Sequence, residues 1–89
     1  MINLYFDEEW EKENYTECCK WLKENLGKSF NLVNSKSYIQ SKIDFLNSNR
    51  KWTDQIEYCD SNCGIIFSFR NISDAVCFKL IWNGYYLEE

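Results

Sequence analysis

Residues 64–82 read Gly64-Ile65-Ile66-Phe67-Ser68-Phe69-Arg70-Asn71-Ile72-Ser73-Asp74-Ala75-Val76-Cys77-Phe78-Lys79-Leu80-Ile81-Trp82. Ile65, Phe67 and Phe69 alternate behind a glycine, the period of a half-buried strand. Ser73 and Asp74 offer N-cap side chains, and Ala75, Val76, Phe78, Leu80 and Trp82 follow as an apolar block that predicts a helix. Val76, Phe78, Leu80 and Trp82 also alternate, so a strand turning at Asn83-Gly84 competes for the same residues. Asp74-Ala75 starts a helix well and a strand badly, which decides for the helix. A strand followed at once by a helix that folds back on it is a core-forming unit.

Upstream of this unit, Trp52, Ile56 and Tyr58 alternate with Thr53, Gln55 and Glu57, predicting a strand over residues 51–59. Asp60-Ser61-Asn62-Cys63-Gly64 is rich in turn formers, so the two strands should form an antiparallel hairpin. Rings at Trp52, Tyr58, Phe67 and Phe69 share a face with Ile56 and Ile65, which marks the core side. Downstream, Asn83-Gly84 ends the helix and Tyr85-Tyr86-Leu87 returns as a last strand. At the front, Ile2, Leu4 and Phe6 alternate, and Asp7 can cap a helix whose acidic first turn suits the helix dipole. Tyr15, Cys18, Cys19, Leu22 and Leu26 fall within about 100° of arc and are the expected buried face. Gly27 is the expected stop. Ser29–Val33 reads as a brief strand or an extended linker. Ser35 or Ser37 then starts a second helix that sets Tyr38, Ile39, Ile43, Phe45 and Leu46 on one core-packing side, with Lys42 snorkelling.

Eighty-nine residues are one domain's worth, and a chain of this length buries only about 60 to 65 % of its unfolded surface. Aromatic residues make up 18 % of it, so large rings must supply the burial that length does not. No apolar run approaches the roughly 18 residues of a membrane span, and no basic leader opens the chain, so a soluble cytoplasmic protein without membrane contact is expected. Five cysteines cannot all pair within one chain and read as reduced thiols. Cys59-x-x-x-Cys63 has the spacing of half a zinc site, but adjacent Cys18-Cys19 is a poor second half, so no metal or other cofactor is expected. The chain has no histidine, which removes the usual general base and the His-dependent triads. The isolated Gly27, Gly64 and Gly84 make no phosphate loop. The expectation is a protein that is not an enzyme.

The order strand, helix, extra helix, hairpin, helix, strand resembles the ferredoxin-like split βαβ plan with an inserted helix, an α+β fold in which an antiparallel sheet packs against helices. Gly64–Phe69 followed by Asp74–Phe78 is also similar to the third strand and second helix of RNA-recognition motifs, which implies nucleic-acid binding as the alternative function. That family shows rings on the open sheet face, where this chain has Thr53, Gln55, Glu57, Ile66, Ser68 and Arg70. With Asn49-Arg50-Lys51-Trp52 as its one basic-aromatic cluster, nucleic acid is not the favoured partner. Phe69 to Trp82 also matches F-x-N-x-x-D-A-x-x-F-K-L-x-W, and so resembles the ending of small uncharacterised proteins of tailed bacteriophages. That resemblance implies a phage source and, by analogy, a small acidic protein that binds and inhibits or modulates a host enzyme or defence complex.

Residues 7–17 carry six carboxylates against Lys12, so the acidity behind the net charge of −4 is one patch. A solvated helix start accounts for most of it. Trp10 and Trp21 lie within about 20° of each other on the helical wheel and away from the expected buried face. Glu9, Trp10, Glu13, Glu17 and Trp21 are therefore the candidate partner-binding residues, fitting a basic groove on a host protein or a second copy of the chain.

Overall fold

Asp7 ends a strand and starts a helix with one side chain: its Oδ1 accepts the Trp10 backbone N–H at 2.8 Å, answering one of the donors that a first turn leaves open. This joins β1 (Ile2–Asp7) directly to α1 (Glu8–Leu26), and α2 (Tyr38–Asn47), β2 (Trp52–Tyr58), β3 (Cys63–Phe69), α3 (Ile72–Trp82) and β4 (Tyr85–Leu87) follow. The computed structural model describes residues 1–31, 38–58 and 63–87, without the side chains of residues 38, 56–58 and 63. The expected turn at 60–62, Cys59, the extended stretch beyond residue 31 and the serine caps at 35 and 37 lie outside the described residues. The result is an α+β fold with a four-stranded sheet, ordered β2-β3-β1-β4 and antiparallel at every pairing.

One face of the sheet is a dry core. Leu4, Ile65, Phe67 and Phe69 are fully buried with Trp52, Cys18, Leu22, Ala75 and Phe78 around them, where α1 and α3 lie side by side. Phe67 is its centre, with ring centroids of Phe6, Trp10, Trp52 and Phe78 at 5.2–6.3 Å. The expected burial of Phe67, Phe69, Phe78, Trp52 and Leu22 is observed. Trp52 also finds a partner for its polar end, donating Nε1–H to the Gly27 carbonyl at 2.8 Å and so tying β2 to the C-terminus of α1. Gly27 itself ends α1 at φ 87°.

Several expectations are corrected. The helix over 72–82 starts earlier than its serine and aspartate imply, with Asn71 at the N-cap. Ala75, Phe78 and Trp82 turn to the core at helical spacing, but Val76 and Leu80 point outward, because a helix lying on a sheet buries one stripe only. Among the described side chains of α2 only Phe45 is buried, while Ile39, Ile43 and Leu46 are exposed. That helix does not join the core of α1 and α3. It lies over the opposite face of the sheet, where Phe45 meets the Phe30 ring at 5.9 Å.

Two devices hold this second layer. Arg70, just past β3, donates from Nη2 to the carbonyls of Phe45 at 3.0 Å, Leu46 at 2.7 Å and Ser48. The Phe45 carbonyl also accepts from the Ser48 N–H and hydroxyl, and the guanidinium adds a positive charge at the negative end of the dipole of α2. On the sheet, Ser68 donates to Asn3 Oδ1 at 2.6 Å and Thr53 donates to the Phe30 carbonyl at 2.6 Å, which answers both buried hydroxyls, whereas Arg70 Nε is buried with no hydrogen-bond partner among the described residues. Gly64 is required on the same face, since a side chain there would strike the Tyr5 ring and the Phe6 carbonyl. No helix among the described residues is long and apolar enough to cross a membrane.

Candidate protein-interaction surface

The acidic residues stand where the wheel puts them. Glu9, Glu13 and Glu17 are exposed and form an i, i+4 row along α1, with Glu8 paired to Lys12 at 3.4 Å in solvent. The tryptophans do not stand apart from the core. Trp10 stacks on Phe6 at 3.9 Å and meets Trp82 edge-on at 6.2 Å, and Trp21 stacks on Phe78 at 6.1 Å. Both are half-buried in the seam between α1 and α3. The apolar side of α1 is about 180° wide, because the helix meets the sheet below and α3 beside it. The expected stripe was centred too far toward the other flank, where Tyr15 is exposed and Cys19 and Leu26 are only half-buried.

Along that other flank, the Tyr15 hydroxyl donates to Asp54 at 2.7 Å across α1 and β2. Burial, then the Asp54 hydrogen bond and charge, push the phenol well above its ordinary range. Burial likewise pushes up the thiols of Cys18 and Cys19, the latter offset in part by its hydrogen bond with Tyr15. Protonated at neutral pH, these groups are poor nucleophiles and poor metal ligands. Among the described residues no three of Cys, Asp and Glu come close enough to hold a metal ion. Cys59 lies outside them, as does the side chain of Cys63.

A cleft of about 40 Å³ opens beneath α2, lined by Asn3, Ser41, Phe45, Thr53, Ile66 and Ser68 among others. It has room for a water or two. The volume is far below the several hundred Å³ of a metabolite site.

Among the described residues, nothing covers the outer side of α3. Ile72, Val76 and Leu80 repeat every four residues along its outer side, Leu80 with 81 % of its surface exposed, and Cys77 and Ile81 lie beside them. No charge interrupts that half of the helix, since Asp74 and Lys79 stand at its two margins. Beside it on β4, Tyr86 is exposed on the helix side of the sheet, opposite Leu4, with Lys79 Nζ 5.4 Å from its ring, while Tyr85 and Leu87 are exposed on the reverse side. Sequence reasoning placed Val76 and Leu80 in the apolar block of the helix with Ala75, Phe78 and Trp82 and so missed the surface. The signal was present: Ile72, Val76 and Leu80 make a second apolar stripe opposite Ala75, Phe78 and Trp82, and one sheet cannot cover both.

Comparison with protein families, curated proteins and solved structures finds no match to this chain.

Proposed function

We propose that this chain is a protein-binding module and not an enzyme, and that it docks through the outer side of its helical layer. One observation carries the reading: the outer half of α3 is uncharged from Ile72 to Ile81, with Ser73 its one polar side chain, on the same helical layer as the acidic row of α1. A helix apolar all round is ordinarily covered on all sides. The Trp10–Trp82 and Trp21–Phe78 contacts join the two helices, which puts the carboxylates of α1 and the outer side of α3 on one helical layer. An apolar anchor with a carboxylate rim fits a partner whose apolar groove is edged by lysine and arginine.

The likeness of residues 69–82 to tailed-phage proteins supports a host enzyme or defence complex as that partner, with action in the host cytoplasm. The strand order β2-β3-β1-β4 supports a ferredoxin-like plan in which α2 is the inserted helix. The burial of Phe67 and Phe69 beneath α1 and α3 weighs against the RNA-recognition alternative, and so does Phe45 lying over the opposite sheet face.

The test is binding to a partner captured from bacterial lysate and identified by mass spectrometry, with two variants. Glu9, Glu13 and Glu17 changed together to Gln should slow association and flatten its salt dependence, because charge steers the approach. Leu80→Lys should mainly speed dissociation. Trp10 and Trp21 serve the same surface from below by positioning the seam, so Trp21→Ala should weaken binding only together with stability. Full binding by both folded test variants would place the interface elsewhere.

A further inference from the structure

The fold gathers cations that the sequence keeps apart. Residues 7–17 carry the acidity, but from Cys18 to Lys28 the balance reverses, with Lys20, Lys23 and Lys28 against Glu24. Lys23 follows Tyr15 and Cys19 at i, i+4 spacing, on the flank of α1 that the Tyr15–Asp54 bond ties to β2. Gly27 accepts the Trp52 Nε1–H, and Phe30 donates its N–H to the Trp52 carbonyl at 2.9 Å, so Lys28 lies beside the start of β2. Arg50 and Lys51 lead into that same start. Arg70 joins them from the end of β3, its backbone N–H bonded to the Lys51 carbonyl at 3.1 Å. Lys23, Lys28, Arg50 and Lys51 are exposed. None of the four makes an ion pair among the described residues, where Glu8–Lys12 is the one bridge.

We propose that this end of the sheet binds the phosphate backbone of a double-stranded nucleic acid, without reading its sequence. The neutral polar side chains between the cations are Asn25, Ser29 and Asn49, hydrogen-bonding groups of the kind that contact phosphate and sugar. No large apolar side chain is exposed over residues 23–31 or 48–53, so the basic end lacks the apolar centre of a protein interface. Trp52 is buried with its N–H already bonded, so no base can stack on it. That removes the platform on which single strands are held. Charge is what remains, and a duplex offers the denser row, with one phosphate charge for each ~1.7 Å of its axis.

The net charge of −4 does not forbid this. Glu13, the middle of the acidic row, stands about 20 Å along α1 from Gly27 at a rise of ~1.5 Å per residue. Physiological salt screens charges over roughly 8 Å, so a duplex at the basic end feels the near charges and not the sum. The reading of the sequence counted only residues 49–52 as basic, because Lys23 and Lys28 come beside them through the Gly27–Trp52 bond. The site uses no residue of α3 and leaves docking on that helix unaffected.

Fluorescence anisotropy of a labelled duplex of about 20 base pairs, titrated with the full chain between about 25 and 200 mM salt, tests this. The logarithm of the affinity should fall against the logarithm of salt with a slope of about −3.6, four contacts at about 0.9 each. Lys28, Arg50 and Lys51 changed together to Gln should weaken binding at least tenfold at low salt and flatten the slope to about −1. Circular dichroism should stay unchanged in this variant, since Arg50 and Lys51 are bonded through backbone atoms. Glu9, Glu13 and Glu17 changed together to Gln should leave the affinity within twofold at about 150 mM salt. No binding at the lowest salt overturns the proposal, and so does a folded triple Gln variant that binds as the wild type does. A single strand of equal length bound more tightly than the duplex, or polyglutamate bound as tightly, also overturns it, the latter assigning this end to acidic protein segments.

Discussion

The two faces of the sheet are built by different physics. Toward α1 and α3 the strands offer Leu4, Ile65, Phe67 and Phe69 to a cluster of rings from which water is excluded. Toward α2 they offer Asn3, Thr53 and Ser68, buried but hydrogen-bonded, with Ile66 as a buried apolar residue among them, and the helix above is held by Arg70 and Phe45. Apolar burial is roughly proportional to area and tolerates no void, so the first face should fail globally when a ring is removed. Hydrogen bonds exchange with those of water at small net gain, so the second face should loosen locally.

The largest expected effect is therefore Phe67→Ala, at about 3 to 5 kcal/mol. That is enough to leave much of a domain this small unfolded, and equilibrium denaturation would read it. Next is Arg70→Met, which removes the clamp on the Phe45, Leu46 and Ser48 carbonyls and should cost about 1.5 to 3 kcal/mol per the range for charged hydrogen bonds. Hydrogen exchange should show the amides of α2 losing protection while those of β1 and β3 keep theirs. A uniform loss would mean that the two faces form one cooperative unit and that the contrast is only descriptive. Ser68→Ala should cost about 1 kcal/mol, several times less than Phe67→Ala at the neighbouring position of the same strand. Equal costs would break the comparison outright.

At neutral pH the smallest effect belongs to the ionisable groups beside the core. Cys18 and Tyr15 hold their protons more tightly folded than unfolded, because burial disfavours thiolate and phenolate. Their contribution is complete below the ordinary values of 9.0 for the thiol and 10.0 for the phenol, and is lost as pH climbs past them. Stability should be flat on their account below about pH 8 and fall above pH 9. Cys18→Ala combined with Tyr15→Phe should remove most of that decline in denaturation midpoints followed against pH.

The contrast also explains what was legible in the sequence. Alternation at Ile65, Phe67 and Phe69 located β3 and its core face, and Asp7 and Gly27 marked the ends of α1, because these signals are local. The whole-helix apolarity of α3 and the stripe Ile39, Ile43 and Leu46 of α2 looked like core for the same local reason. Which stripe of a helix is covered depends on what lies beside it. Trp10 and Trp21 were misplaced on these grounds, as their covering partners Trp82 and Phe78 come about 60 to 70 residues later. Arg70 escaped notice because capping a distant helix leaves no pattern in its own neighbourhood.

Placing β1 at the middle of the sheet has a consequence during synthesis. Ile2 and Phe6 pair with Phe69 and Ile65, and Leu4 with Tyr86, so the first strand made must wait for nearly the last ones. A ribosome adding ~5 to 20 residues per second takes about 3 to 12 s to supply the intervening 60. Through that interval α1 has neither sheet nor α3 to lie against, and its apolar flank is open to the surrounding proteins. The carboxylates of its first turns give the nascent segment a charge that favours solution over that interval. The acidic row would serve the chain before it serves any partner.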